Sequence, residues 1–497
     1  MAELCRNYAM HGANLLNLHF HPNEQIEWGE AALQSARRLQ DQASEAVILS
    51  NLGMAFEDLG NLSRSLEYQQ QALGIAQAVG DLFTEETTLG NLGSSFQALA
   101  RYNEAIECYE RQLLIASEIG DRRGEANALM NIGIARSQTG DSRGAIQKYE
   151  SALAIFRTID NRRGEGQVQG NLGTVYAELG DFEKSIQCYE QDLAIARELG
   201  DRRGEGQALG NIATTYADLG EHLKALEYYE QRLAIAREVG DRRGEGNVLG
   251  NIGISYLDTG EPRRALESYE QSLSIAQEMG DRDGEGTALI NVGLAHWWLQ
   301  DYDSAKECFD RALILAREIG DRRSEQAALG NLGLLYVIDE KYSLAIEYYE
   351  QALTIASSIE DQRTEALCLM NIGTTAYRMT SYQEAIGILD RALQIFTAIG
   401  DKYNKAIILG DLGNCYAALG DSDRAFSSYS EALAGARANS DRRTEANLLY
   451  NLSLDRFKQG KQEDALASAS TALEILEQIE DRNAETVRQQ IERWKQP

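Results

Sequence analysis

The chain has 497 residues, a formal net charge of −29 and 43% apolar residues. The acidic excess argues against nucleic acid or an anionic membrane as partner, because phosphates are repelled, and the apolar content with only three prolines (Pro22, Pro262, Pro497) excludes a disordered chain. No apolar run approaches the ~20 residues of a membrane span, and the opening MAELCRNYAMHGANLL lacks the basic stretch and apolar core of a signal peptide, so a cytoplasmic location is expected.

Taken in order, the chain repeats one phrase every 40 residues. Asparagine returns at Asn51, Asn91, Asn131, Asn171, Asn211, Asn251, Asn291, Asn331, Asn371 and Asn451, with Asp411 the one exception in register. A fixed period of this length marks a stack of units that each touch only their neighbours. Residues 1–40 read as a degenerate amino-terminal capping repeat, with Leu33 and Asp41 in register and His11 in place of the asparagine. Repeats then run from 41 to 480, and the tail 481–497 is expected to form a carboxy-terminal capping helix.

Within residues 201–240 two helical patterns flank Gly220. Ala208, Ile212, Tyr216 and Leu219 share one helical face, and Leu223, Leu226, Tyr229, Leu233 and Ala236 share another. Asp201 is placed to cap the first helix, and Gly200 suits the left-handed end of the helix before it. Each repeat is thus a helical hairpin unable to bury its apolar face alone. Three columns pack the hairpins: a small one from Ser65 to Ala465, a leucine one from Leu33 to Leu473, and a mostly aromatic one that includes Tyr109, Tyr149, Tyr189, Tyr229, Tyr269, Phe309, Tyr349 and Tyr429.

Residues that suggest chemistry mostly reduce to structure. Gly140-Asp141-Ser142-Arg143-Gly144 has the G-x-S-x-G form of a hydrolase elbow, but that elbow needs a preceding strand and here it falls on the turn between two helices. Gly204-Glu205-Gly206 with Gly210 resembles a dinucleotide loop but lies at a helix start. His19 and His21 lack a third ligand and read as surface residues. The six cysteines stand singly at Cys5, Cys108, Cys188, Cys308, Cys368 and Cys415, so neither a disulfide framework nor a metal pair is expected. A glutamate column that includes Glu165, Glu205 and Glu245 is read as helix-start charge pairing with Arg203-type neighbours. No catalytic residue, metal or cofactor is expected.

Leu172-Gly173, Tyr176, Gly180, Ser185 and Tyr189 match the packing positions of the tetratricopeptide repeat, and the whole chain resembles that family. The repeat is longer than the usual 34 residues and lacks the family's proline near the end of the second helix. It is most similar to the long repeats of Pins-type Leu-Gly-Asn adaptors, kinesin light chains and the sensor arms of bacterial signal-transduction ATPases. The resemblance implies an all-α, right-handed superhelical solenoid of about twelve hairpins. It also implies a non-enzymatic scaffold or adaptor whose concave groove captures a protein or peptide segment.

By that resemblance the asparagine column lines the groove. Each side-chain amide carries a donor and an acceptor, so Asn171, Asn211, Asn251, Asn291, Asn331 and Asn371 suit pairing with a peptide backbone; equally, they suit tying neighbouring first helices together. Other groove columns change character along the chain. They are polar and acidic at Thr174, Glu178, Thr214, Asp218 and Asp258, then apolar at Ile290, Leu294, Trp297, Trp298, Leu334, Val337, Ile338, Met370 and Tyr377. The expectation is an apolar anchor beside an acidic track that takes basic residues of the ligand, the alternative for Trp297 being that it fills a gap between repeats. Lysine and arginine are nearly absent from these columns, Arg378 and Lys458 excepted, which disfavours capture of a chaperone's carboxy-terminal carboxylate. The alternative function is the sensor or regulatory arm of a bacterial signalling system whose ATPase or effector is a separate chain; a hydrolase acting through Ser142 is a further one, which a serine-directed probe would reveal.

Overall fold

Every 20 residues from Gln40 to Gly460 the backbone passes through a left-handed residue, and between these points it is helical. The computed structural model describes residues 22–479, 481 and 483–495. No strand occurs among them. His11, His19 and His21 lie outside the described residues.

The chain divides into two compact bodies, Met1–Thr259 and Gly260–Pro497. The first holds α1 (Pro22–Leu39), α2 (Gln42–Asp58), α3 (Leu62–Val79), α4 (Leu82–Ala98), α5 (Tyr102–Ile119), α6 (Arg122–Gln138), α7 (Ser142–Thr158), α8 (Arg162–Glu178), α9 (Phe182–Leu199), α10 (Arg202–Asp218), α11 (His222–Val239) and α12 (Arg242–Asp258). The second holds α13 (Pro262–Met279), α14 (Arg282–Trp298), α15 (Tyr302–Ile319), α16 (Arg322–Ile338), α17 (Tyr342–Ser358), α18 (Gln362–Arg378), α19 (Tyr382–Ala398), α20 (Lys402–Ala418), α21 (Ser422–Ala438), α22 (Arg442–Lys458), α23 (Gln462–Gln478) and α24 (Ala484–Lys495). Within each body consecutive helices pack as hairpins, and each hairpin stacks on the next. The fold of each is an all-α solenoid.

The helix boundaries follow from caps. Asp201 accepts from the Gly204 amide and Asp241 from that of Gly244, as the free donors of a first turn require. Second helices are capped less regularly: Glu221 and Lys341 make no side-chain cap bond. Gly200 ends α9 at φ +66°, a backbone conformation that costs a side-chain-bearing residue ~1–2 kcal/mol.

Packing within a hairpin is set by volume. The small column is fully buried from Ser65 to Ala465. Beside it, glycine of the first helix takes an aromatic ring of the second: a Cβ on Gly173 would lie 2.6 Å from a Tyr189 ring carbon, and one on Gly333 2.6 Å from Tyr349. At the ends, α1 buries Ala32, Leu33 and Ala36 against Ile48, Leu49 and Leu52. Helix α24 buries Val487, Ile491 and Trp494, with Trp494 stacked on Phe457 at 4.5 Å.

The glutamate column behaves differently from expectation in one respect. Glu205 accepts from Arg197 Nε at 2.8 Å and from Arg202, not from Arg203. Glu165 is held in the same way by Arg157 and Arg162, and Glu245 by Arg237 and Arg242. The reason is helical geometry: residues three apart face each other, whereas residues two apart do not. Each glutamate therefore joins the second helix of one repeat to the first helix of the next. Arg162 and Arg202 reach one helix further, to Glu198 and Glu238.

Candidate functional site

In the amino-terminal body a cavity of about 900 Å³ is bounded chiefly by α8, α10 and α12, with the second helices α9 and α11 forming its back. The residues that α8 contributes are Arg163, Gly166, Gln167, Gly170, Asn171 and Thr174, spaced three or four apart and so on one helical face. Helix α10 repeats the pattern with Arg203, Gln207, Gly210, Asn211 and Thr214, and α12 adds Asn247 and Asn251. Asn171, Asn211 and Asn251 thus share one wall, and Gln167, Gln207 and Asn247 add a second amide in each repeat. Thr174 and Thr214 have a second role: their hydroxyls lie 3.0 Å from those of the buried Tyr189 and Tyr229, and Tyr229 itself lines the cavity.

Glu178, Asp218 and Asp258 are exposed at the last turns of α8, α10 and α12 and do not line the cavity. Asp258 Oδ2 lies 3.7 Å from His222 Nδ1. The tie between neighbouring first helices also exists, at another asparagine: Asn91 Nδ2 donates to Ser50 Oγ at 3.1 Å, joining α4 to α2.

Two charged residues that the consensus repeat conceals stand in the back wall. The column of Ala32, Ala72, Ala152, Ala312, Ala352, Ala392, Ala432 and Ala472 is buried alanine in eight repeats. In the repeats around the cavity it carries Asp192 and Arg232 instead. Room for them comes from glycine on the facing first helix. A Cβ on Gly166 or Gly170 would lie 3.0 or 3.1 Å from the Asp192 carboxylate oxygens, and one on Gly210 would lie 2.7 Å from Arg232 Cδ. Arg232 Nη1 donates to the Gly206 carbonyl at 2.7 Å. Burial pushes the Asp192 carboxyl up to about 6, and the neighbouring Asp201 adds to the shift. The column departs from alanine at Gln112, Asp192, Arg232 and Ser272, and the signal available in the sequence is that the two central departures are charged and of opposite sign.

The apolar positions lie in the carboxy-terminal body and separate by depth. Val337 and Ile290 are core residues. Leu294 and Trp297 are half-buried against the cluster around Phe309 and Leu313, and the Trp297 indole nitrogen is buried without a hydrogen-bond partner. Trp298, edge-on to Trp297 at 5.5 Å, is 52% exposed, and Leu334 and Ile338 are exposed on the following first helix. Tyr377 and Met370 pack half-buried beside Leu369 and Leu412. Asn291, Asn331 and Asn371 are half-buried on α14, α16 and α18. Asp411, in the asparagine register on α20, accepts from Thr374 Oγ1 at 3.2 Å.

Ser142 is the first residue of α7, and Asp141 caps that helix by accepting from Gly144. Among the described residues no group of three or more His, Cys, Asp or Glu side chains could hold a metal ion, and no helix is long and apolar enough to cross a membrane.

Comparison with known proteins agrees with this architecture. Tetratricopeptide-repeat profiles match residues 46–79, 84–158, 164–238, 207–278, 284–358 and 365–438, more than half of the chain. No curated protein matches. Among solved structures, a signal transduction ATPase with numerous domains carrying a tetratricopeptide-repeat sensor, from Pyrococcus horikoshii, superposes with a TM-score of 0.53 at 18% identity. That match covers 76% of this chain and 56% of the other, so the chain spans just over half of that protein's length. BtubC (BKLC) from P. vanneervenii is 22% identical over 45% of this chain and 91% of its own, with a TM-score of 0.40. Aspartyl phosphate phosphatase F from Bacillus subtilis is 13% identical over 71% and 94%, with a TM-score of 0.49.

Proposed function

Because the chain belongs to the tetratricopeptide-repeat family, we propose that it is a protein- or peptide-binding scaffold without catalysis of its own, which captures an extended segment in the cavity between α8, α10 and α12. The observation that carries this reading is the placement of Asn171, Asn211 and Asn251 on one cavity wall. An amide can accept from a peptide N–H and donate to a peptide C=O, so a row of them pairs with a backbone whatever its sequence. Exposed Trp298, Leu334 and Ile338 form a separate apolar contact in the carboxy-terminal body, and the acidic turns at Glu178, Asp218 and Asp258 suit basic residues of a partner.

The test is binding of a synthetic peptide library, capped at both ends, to the wild type and to Asn171→Ala with Asn211→Ala. Loss of on the order of tenfold in affinity is expected, from two hydrogen-bonding amides at ~1 kcal/mol each or somewhat less. Unchanged affinity with unchanged circular dichroism sinks the reading. For the apolar contact, Trp298→Ala with Ile338→Ala is the corresponding variant, and a pull-down partner retained at wild-type level removes it.

A second reading is that of a sensor arm acting on a nucleotide-binding chain. Its support is the likeness in fold to the sensor-bearing ATPase from Pyrococcus horikoshii. Co-purification with a nucleotide-binding protein would favour it, and purification alone under mild lysis would count against it.

A further inference from the structure

Eight other repeats stack with alanine in the place of Asp192 and Arg232, so neither charge is needed for a hairpin to form. The carboxylate and the guanidinium fit there because the facing helices carry no side chain at Gly166, Gly170 and Gly210, where a Cβ would crowd them. Glycine inside a helix costs ~0.5–1 kcal/mol relative to alanine. Two successive repeats thus carry a structural cost, and what they gain is a pair of opposite charges on the back wall of one cavity.

Resting on the reading of this cavity as a peptide groove, we propose that it selects a mixed-charge segment, with a lysine or arginine side chain seated on Asp192 and an acidic side chain on Arg232. Asp192 has room for such a partner. It makes no ion pair or hydrogen bond among the described residues, and the neighbour whose charge adds to its upward shift is another carboxylate, Asp201. Asp201 itself is committed to capping α10. Arg232 uses one N–H on the Gly206 carbonyl, and a guanidinium has five. Arg163 and Arg203 sit exposed at the cavity rim, adding positive charge where the acidic part of the segment would run.

The pH dependence follows from the groups on the wall. Asp201 is the charged group that acts on Asp192, and the other titratable or charged groups that line the same cavity are Arg163 of α8, Arg203 of α10, and Tyr229 and Arg232 of α11. With its carboxyl at about 6, Asp192 loses most of its charge by pH 5, while a ligand lysine keeps its own. A basic-residue peptide should therefore bind about tenfold more weakly at pH 5 than at pH 7.5, one unit below the pKa leaving about a tenth of the carboxylate ionised.

The experiment is a positional-scanning library of capped synthetic peptides presented to wild type, Asp192→Ala and Arg232→Ala. Alanine is native to this column, so both variants are expected to fold. The wild type should enrich lysine or arginine at one position and aspartate or glutamate at another. Asp192→Ala should abolish only the first preference and Arg232→Ala only the second. Asp192→Asn should also flatten the pH dependence. The charge swap, Asp192→Arg with Arg232→Asp, should exchange the two preferences. If either preference survives the loss of its own residue, the assignment is wrong. If those preferences survive while Asn171→Ala with Asn211→Ala weakens binding, groove capture stands and only the charge assignment falls. If the wild type binds no library member, both fall together.

Discussion

The asparagine register contains one carboxylate, Asp411, and replacing it tests how burial acts in this fold. Burial pushes the Asp411 carboxyl up to about 6, against lowering contributions from the Thr374 hydroxyl and the Arg378 charge. An aspartate in an unfolded chain titrates near ~3.9, and each unit of difference is worth ~1.4 kcal/mol. The charged form is thus disfavoured on folding by about 2–3 kcal/mol. The sign is that of a raised carboxylate: stability is highest below the unfolded pKa and is lost as pH rises through the folded one. Asp411→Asn carries no charge, is the residue native to ten equivalent positions, and keeps an oxygen to accept from Thr374. It should stabilise the surrounding repeats by about 2 kcal/mol at pH 7.5 and by less than about 0.5 kcal/mol at pH 4, where the wild-type carboxyl is largely neutral when folded. Repeat arrays open locally, so urea-dependent hydrogen exchange of amides in α18 and α20 is the suitable assay. An equal gain at both pH values, or none at pH 7.5, would refute burial as the cause.

Three further predictions concern stability. Glu205→Gln should cost about 1 kcal/mol at pH 7, because the two arginines it binds are half exposed and each pair is worth only ~0.5 kcal/mol. Burial raises the Glu205 pKa, but the bonds from Arg197 and Arg202 outweigh it and hold the carboxyl below its usual range. This contribution is present above the unfolded pKa of ~4.3 and lost as pH falls through the lower folded value, so the difference between wild type and variant should shrink steadily with acidification below that range in urea titrations. Ala100→Gly should stabilise by about 0.5–1 kcal/mol, since Ala100 holds φ +57°, where glycine is unstrained; a lowered urea midpoint would contradict this. Gly333→Val should destabilise by about 2–3 kcal/mol through overlap with the Tyr349 ring, and thermal scans showing less than a degree of change would show that the ring yields.

What was legible in the sequence, and what was not, divides along physical lines. Asp201 as cap and Gly200 as left-handed terminus depend on local backbone chemistry, and both stand where that chemistry requires. The small and aromatic columns depend on a period, and a period is visible without coordinates. The partner of Glu205 required the angular step of a helix as well as proximity in sequence: Arg202 faces it and Arg203 points instead to the cavity rim. Depth was less legible still. Val337 and Ile338 are adjacent, yet the ~100° turn between them puts one in the core and leaves the other exposed.

The cavity illustrates why averaging over repeats is a poor guide to function in a solenoid. A consensus retains the residues every repeat needs to stack, which are those with least freedom to recognise anything. Asp192 and Arg232 vanish in such an average because eight other repeats hold alanine there. Their meaning appears only when each is set against the glycines across from it, since a larger side chain in one helix and its loss from the facing helix form a single change in shape. In a fold whose stability is a sum of near-identical interfaces, a departure matched by its neighbour has been accommodated twice. Where the matched side chain is also charged and lines a cavity, that is the reason to seek specificity there before the shared columns.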